Sequence, residues 1–345
     1  MSVVSIPPGC HYEQERVVPS TSPLETNLYV AYAFSGARLD PEQFAFDAID
    51  SLEPDAEKAA YDTLASLKLV RRRSAEERTI VRVNGVEIGG DQCVVIAGPC
   101  AVESERQVMA TAEAVARAGG RVLRGGGFKP RTSPYAFQGL GLEGLRLLRK
   151  AGDAFGLPVV SEAMIDTQVE LVAEYADLIQ VGTRSMENVA LLAALSRCRR
   201  PILLKRAMVG SLEELLEAAE YLLANGNPNV ILCERGIRTF GKLTRNTCDI
   251  VAVPLLHQLT HLPVIVDPSH ATGRRSLVPP LARAAVAIGA DGLLVEVHPS
   301  PEKALSDGVQ SLSIPQFTRM MRGLEPYVRL WEEERAWSPV SAASR

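Results

Sequence analysis

From residue 93 onward, short apolar runs alternate with longer amphipathic ones. The runs Val94–Ala97, Arg121–Arg124, Pro158–Ser161, Leu178–Val181, Ile202–Lys205, Val230–Cys233, Val264–Asp267 and Gly292–Val297 are rich in Val, Ile and Leu and apolar almost throughout. Strands covered on both faces have this composition, because neither face meets water. Between them lie helical patterns at Glu103–Ala118, Leu142–Ala154, Asp166–Tyr175, Glu187–Ser196, Ser211–Ala224, Thr244–Leu256 and Ser276–Ile288, with Pro301–Leu305 and Pro315–Leu330 after the last strand. Asp166 and Ser211 stand at N-cap positions, and Gly119, Gly156 and Gly289 fall just past helix ends. Eight strand–helix units within about 240 residues predict an α/β fold, a closed (β/α)8 barrel. A doubly wound sheet is the competing architecture, since a count of strands does not show closure.

Residues 1–92 read differently. SIPPGCHYEQERVVPSTSPLET is rich in turn formers and predicts irregular chain. Asn27–Phe34 reads as a strand, and Pro41–Ser51 and Asp55–Leu67 as helices. Thr79–Val83 and Val86–Ile88 flank Asn84-Gly85, the strongest two-residue hairpin signal. Such a hairpin would plug the bottom of the barrel. The expected organisation is an N-terminal extension over 1–78, a catalytic barrel over 79–335 and a frayed tail over 336–345.

Composition narrows the classes. Apolar residues make up 46% and charged residues 23%, an ordinary globular balance. A net charge of −4 argues against nucleic acid as a partner. No run of 18 apolar residues suggests a membrane span. The start, MSVVSIPPGCHYEQER, lacks a basic segment followed by an apolar one, and the six cysteines show no paired spacing. Reduced thiols in a cytoplasm are the expectation.

In such a barrel, chemistry belongs at the C-terminal ends of the strands. Read there, Arg124, Lys129, Arg131, Arg184, Lys205 and Arg235 aim at one mouth. So many cations repel each other unless a ligand with several negative charges sits among them, which suggests phosphorylated substrates. The competing account is a ring of ordinary ion pairs with Glu162, Glu234 and Glu296. A second group, Cys100, His270, Glu296 and Asp307, comes from the first, seventh and eighth strands, neighbours only if the barrel closes. One thiolate, one imidazole and two carboxylates suit a divalent transition metal, and the mixed donors do not choose among Mn, Fe, Co and Zn. Singly, each is as readily a packing or loop residue. Asp267 supports a ligand or takes part in catalysis. Cys233 and the remaining thiols, Cys10, Cys93, Cys198 and Cys248, read as packing or surface residues, and His298 is unassigned.

Six stretches carry a resemblance: AGPCAVES (97–104), LRGGGFKPRTSPYAFQGLG (123–141), LLKRAM (203–208), ILCERGIRTF (231–240), VDPSHATGRR (266–275) and VEVHPSPEKALSDGVQSL (295–312). They resemble the type I 3-deoxy-D-arabino-heptulosonate 7-phosphate (DAHP) synthases, in the β branch that also includes the KDO 8-phosphate synthases. KPRTS (129–133) is the most specific piece, because it is similar to the synthases that take erythrose 4-phosphate rather than arabinose 5-phosphate. The resemblance implies a metal-dependent transferase that condenses phosphoenolpyruvate with erythrose 4-phosphate, the first step of the shikimate pathway. It implies that Cys100, His270, Glu296 and Asp307 hold the metal. Arg124, Lys129 and Lys205 would hold the carboxylate and enol end of phosphoenolpyruvate, and Arg184 and Arg235 its phosphate, with Glu162 nearby. Arg131, Thr132 and Ser133 would hold the aldose phosphate, and Lys129, Arg124 and Asp267 would be the catalytic set. A homo-oligomer is implied, and a chorismate mutase is a further partner known among relatives.

The chain departs from the family pattern at Gly127, Thr183, Ser185, Glu187, Ala207, Ala271 and Thr272. Residues 56–92 are similar to the linker after a ferredoxin-like regulatory domain, whereas 1–55 match such a domain poorly and suggest a degenerate or truncated version. Two rival readings stand beside the main one. One is a related synthase or specialised paralogue using another sugar phosphate, and the other is a non-catalytic regulatory paralogue.

Overall fold

The computed structural model describes residues 66–337, apart from 75, 130–132 and 134. The strand expected at Asn27–Phe34, the helix at Pro41–Ser51, nearly all of that at Asp55–Leu67, and the tail lie outside the described residues.

A two-stranded antiparallel hairpin comes first, β1 (Val81–Val83) and β2 (Val86–Ile88). Asn84 and Gly85 turn it with φ of 44° and 87°. Positive φ at both positions matches the twist of the flanking strands, which is why Asn-Gly serves here. Eight parallel strands follow: β3 (Val94–Gly98), β4 (Val122–Arg124), β5 (Val159–Ala163), β6 (Leu178–Val181), β7 (Ile202–Lys205), β8 (Val230–Glu234), β9 (Val264–Val266) and β10 (Gly292–Glu296). They form a closed barrel, with β10 paired to β3 from Gly292↔Val94 through Glu296↔Gly98. Closure excludes the doubly wound alternative. Each of the eight expected barrel strands is present within two residues at either end.

The helices are α1 (Glu105–Arg117), α2 (Leu142–Phe155), α3 (Val169–Tyr175), α4 (Val189–Arg197), α5 (Leu212–Ala224), α6 (Ala252–Leu259), the short α7 (Pro268–Thr272), α8 (Val278–Ala287) and α9 (Ile314–Trp337). Ser211 caps α5 in a reciprocal box with Glu214, satisfying two otherwise free N–H groups. Gly119, Gly156 and Gly289 follow helix ends with φ of 85°, 65° and 93°, as left-handed caps require. Asp166 does not cap. It lies inside a single 3-10 turn, Asp166–Gln168, while the Gln168 side chain accepts the Met164 N–H.

The helix expected over Thr244–Leu256 begins only at Ala252. Its first half is drawn elsewhere: the Arg245 and Asn246 N–H groups donate to the Thr272 and Ala271 carbonyls, and Thr247 pairs with Ile237. Backbone groups committed across a gap cannot also form i to i−4 bonds. The last helix runs seven residues beyond the expected Leu330, where Trp331 is buried and Arg335 pairs with Asp291. Among the described residues, no helix is long and apolar enough to cross a membrane.

Val81, Val83, Val86 and Ile88 face one way from the hairpin and join Val94, Ile96, Val122, Val160, Leu178, Leu203, Ile231 and Ile265 in one core. The hairpin is therefore the plug of the barrel, and chemistry is left to the other end. Ile88→Ala should destabilise the protein by about 2–5 kcal/mol, since it opens a cavity against buried neighbours. Denaturant unfolding measures this, and a loss within about 0.5 kcal/mol, the range for surface substitutions, would show that the plug carries no packing.

Candidate active site

The C-terminal strand ends gather the expected donors. Cys100 Sγ, a ring nitrogen of His270 and carboxylate oxygens of Glu296 and Asp307 lie within 4.8 Å of one another. Glu296 ends β10, and Cys100 follows β3, so closure of the barrel brings these two together. His270 sits on α7, whose Pro268 start and Asp267 cap turn the chain sharply at the mouth. Its Nδ1 is 2.6 Å from Asp267 and its Nε2 is 3.2 Å from Glu296 Oε1. Asp307 is one of two non-glycine residues with positive φ among those described, at 53°. A soft thiol, an imidazole fixed through its far nitrogen and two carboxylates form a fitting donor set for a divalent transition metal. The quartet is a candidate metal site.

Electrostatics prepares these groups unequally. Burial pushes the Cys100 thiol up to about 12, and Glu296 adds to the rise. Burial also lowers the His270 pKa, which leaves a neutral ring able to give a lone pair. Burial opposes ionisation of Asp267, yet His270 and Lys205 outweigh it and hold the carboxyl well below its usual range. Lys205 pairs with Asp267 and approaches His270 Nδ1 at 3.5 Å.

The cations sort by their partners. Arg124 is buried against Glu296 at 2.7 Å. With Gly126, Lys129, Ser161, Glu162 and Gln180 it walls a small recess beside the quartet. Glu162 accepts from Gln180 at 3.1 Å. Arg235 is buried, its Nε has no hydrogen-bond partner, and only a long 3.4 Å contact to the Gly236 carbonyl engages Nη1. Neither Lys129 nor Arg235 has a carboxylate within ion-pair distance among the described residues. Arg184 is exposed on the turn after β6, and Ser133 is exposed with its hydroxyl accepting the Tyr135 N–H. Arg131 and Thr132 lie outside the described residues. The proposed ring of rim ion pairs holds for Arg124 with Glu296; Glu234 instead pairs with Arg206, outside the cation cluster.

The model of the DAHP synthetase I family matches residues 73–329. The phospho-2-dehydro-3-deoxyheptonate aldolase of Thermotoga maritima is 49% identical over 286 residues, 83% of this chain and 84% of that protein. The chain belongs to the DAHP synthetase I family. A crystal structure of the Thermotoga enzyme matches with a TM-score of 0.75 at 50% identity, covering 77% of this chain and 78% of that one. A truncated form of 3-deoxy-D-arabino-heptulosonate 7-phosphate synthase from the same organism gives 0.72 at 46% identity, covering 77% and 98%. The 2-dehydro-3-deoxyphosphooctonate aldolase of Geobacter sulfurreducens is more distant, 33% identical over 264 residues, 71% of this chain and 96% of the relative.

Within this family frame the leftover residues find uses. The His298 Nδ1 accepts the Ser300 N–H, so its Nε2 carries the proton donated to Glu103 at 3.2 Å. Glu103 also accepts the Leu305 N–H, and the pair ties down the segment leading to Asp307. Cys233 packs in the core. Arg206 spans Glu234 at 3.0 Å and Asp249 at 2.9 Å, a bracing role. Sequence reasoning missed Gln310, Ser306 and Arg245, which touch Glu296, Cys100 and Asp307 respectively. Neutral amides and hydroxyls have no charge signature, and Arg245 falls in the segment read as helix.

Gly126 gives a direct test of Lys129. A Cβ at position 126 would overlap the Lys129 Cε and Nζ and approach the Cys100 carbonyl at 3.0 Å. The lysine tip is the movable partner. Gly126→Ala should therefore cut turnover at least tenfold with little change in Tm; full turnover would show that the position of Lys129 is immaterial.

Proposed function

We propose that the chain condenses phosphoenolpyruvate with erythrose 4-phosphate to give DAHP and phosphate, with a divalent metal held by Cys100, His270, Glu296 and Asp307. The observation that carries this reading is the junction of that quartet with two buried cations, Lys129 and Arg235, that lack carboxylate partners among the described residues, at one barrel mouth. The KPRTS stretch assigns the four-carbon sugar. A buried cation without a partner is costly, and an anionic substrate removes the cost.

A metal bound at the quartet supplies Lewis-acid polarisation of the aldehyde oxygen. The remaining work belongs to the chain. Arg124, Lys129 and Lys205 hold the carboxylate and enol end of phosphoenolpyruvate, and Arg184 and Arg235 take its phosphate, with Glu162 beside them. Arg131, Thr132 and Ser133 take the phosphate of the aldose. Carbon 3 of phosphoenolpyruvate attacks the aldehyde carbon, water adds at C2, and phosphate leaves with C–O cleavage. Lys129 supplies the proton taken up by the aldehyde oxygen. The fixed cations stabilise charge developing around C2 without reorganising. Asp267 keeps the His270 Nε2 free by accepting at Nδ1, and it neutralises Lys205. The donors admit Mn, Fe, Co or Zn. A cytoplasmic homo-oligomer is the assembly this reading implies, with regulation or a chorismate mutase acting through residues 1–78.

Two measurements test this. Phosphate release from phosphoenolpyruvate should occur with erythrose 4-phosphate, fail with arabinose 5-phosphate, and stop on chelation. Turnover with the five-carbon sugar alone would reassign the substrate, and turnover with neither would favour a binding role. The second follows from the thiol. A pKa raised to about 12 leaves Cys100 protonated in the metal-free protein at pH 8, whereas a metal takes the thiolate. Loading the metal should release about one proton per ion, and apparent affinity should rise with pH. An indicator dye reads the release; none at pH 8 would remove Cys100 from the donor set.

A further inference from the structure

The quartet is held from behind with unusual completeness. Each carboxylate has two oxygens and can give a metal one or both. In Glu296, Oε1 faces His270 Nε2 at 3.2 Å and takes Arg124 on one lone pair, while Oε2 accepts from the buried Gln310 amide at 2.8 Å. In Asp307, Oδ2 lies 3.1 Å from Cys100 Sγ and 3.8 Å from His270 Nε2, while Oδ1 accepts from Arg245 at 2.9 Å. Gln310 reaches Asp307 as well. In both carboxylates one oxygen is turned to the quartet and the other is engaged by a residue outside it.

We propose that Gln310 and Arg245 are positioning residues that confine Glu296 and Asp307 to one donor oxygen each, keeping room for the substrate oxygen. This rests on the metal reading above. Four single-atom donors leave an ion of five or six positions open, whereas two bidentate carboxylates, with Cys100 and His270, would supply six donor atoms. Catalytic metal sites keep an open position.

The supports are themselves anchored. The loop that carries Arg245 is stitched to the turn that carries His270. The Arg245 N–H donates to Thr272 O, the Asn246 N–H to Ala271 O, and the Asn246 side chain to His270 O at 2.9 Å. Gly273, at φ 62°, packs against the Arg245 Cβ so closely that a side chain there would overlap it. One backbone junction thus fixes both the imidazole and the guanidinium behind Asp307. Asp307 sits in a left-handed conformation disfavoured for a side-chain-bearing residue, and Ser311 holds its carbonyl at 2.9 Å. A strained ligand needs such over-determination to keep one orientation.

Cobalt(II)-loaded protein tests the proposal. The wild type should show a sulfur-to-cobalt charge-transfer band that Cys100→Ser loses. In Gln310→Leu and Arg245→Met the band should persist while the visible d–d absorption weakens, the mark of a higher coordination number. Turnover should fall about 10- to 100-fold with cobalt still bound, and Arg245→Lys should recover part of it. Persistence of the wild-type d–d spectrum in both variants, with cobalt bound, overturns the proposal. Survival of the charge-transfer band in Cys100→Ser removes the metal reading instead, and this proposal with it. If Gln310→Leu does not fold, Arg245→Met carries the test alone, because that side chain is 42% exposed.

Discussion

A line of buried charge crosses the mouth of the barrel. It runs from Arg124 to Glu296 at 2.7 Å, from Glu296 to His270 at 3.2 Å, from His270 to Asp267 at 2.6 Å, and on to Lys205. Its members stand on β4, β10, α7, the end of β9 and β7. Its charged members are buried, and removing one partner of a buried ion pair costs about 3–5 kcal/mol. The line exists only because β10 closes on β3 and places Glu296 beside Gly98. Closure of the fold and assembly of the site are thus one event. The hairpin plug closes the barrel from below with apolar side chains that join the barrel core.

Pairing also separates two kinds of buried cation. Arg206 and Arg235 are adjacent and both buried, yet Arg206 meets two carboxylates while the Arg235 Nε meets nothing. Arg206 braces the ends of β7 and β8. Arg235 and Lys129 are buried with no carboxylate at ion-pair distance among the described residues. Burial lowers the Arg235 pKa, though a guanidinium stays charged at any working pH. Ion pairs therefore balance the charge around the Cys100, His270, Glu296 and Asp307 quartet, and positive charge is in excess at Lys129 and Arg235.

Much of this was legible in the chain. The eight apolar runs carry the strands because both faces are buried, and a run covered on both sides has a single reading once its length is short. Cys100, His270, Glu296 and Asp307 could be named because strand ends in a closed barrel converge, so positions far apart in sequence become neighbours. Closure followed from the count of eight regular units and not from any single strand, since each strand looks the same in an open sheet. The segment after Thr244 looked helical because its apolar spacing suits a helix, and only the carbonyls of Ala271 and Thr272 explain why it is not. Gln310 was invisible because an amide announces no charge and its value lies in what it touches. Residues 1–65, where the reading was weakest, lie outside the described structure.

Five of the departures from the family pattern, Gly127, Thr183, Ala207, Ala271 and Thr272, lie at backbone contacts near the mouth. Gly127 has little room for a side chain: a Cβ would meet Leu145 at 2.9 Å and the Gly141 carbonyl at 3.0 Å. Gly141 donates to the Gly127 carbonyl and Lys129 to that of Gln138, so glycine against glycine closes the base of the loop that presents Lys129. The Thr183 hydroxyl donates to the Arg206 carbonyl at 2.6 Å, and the Ala207 N–H to the Met186 sulfur at 3.1 Å. These contacts sew the turns after β6 and β7 to each other, behind Arg184 and Lys205. Ala271 and Thr272 lend their carbonyls to the loop of Arg245 and Asn246. Ser185 and Glu187 have no such explanation in the structure, and the charged groups themselves are all in place. Lys129 and Arg235 are buried without a carboxylate at ion-pair distance among the described residues, an arrangement that costs free energy in the unliganded fold.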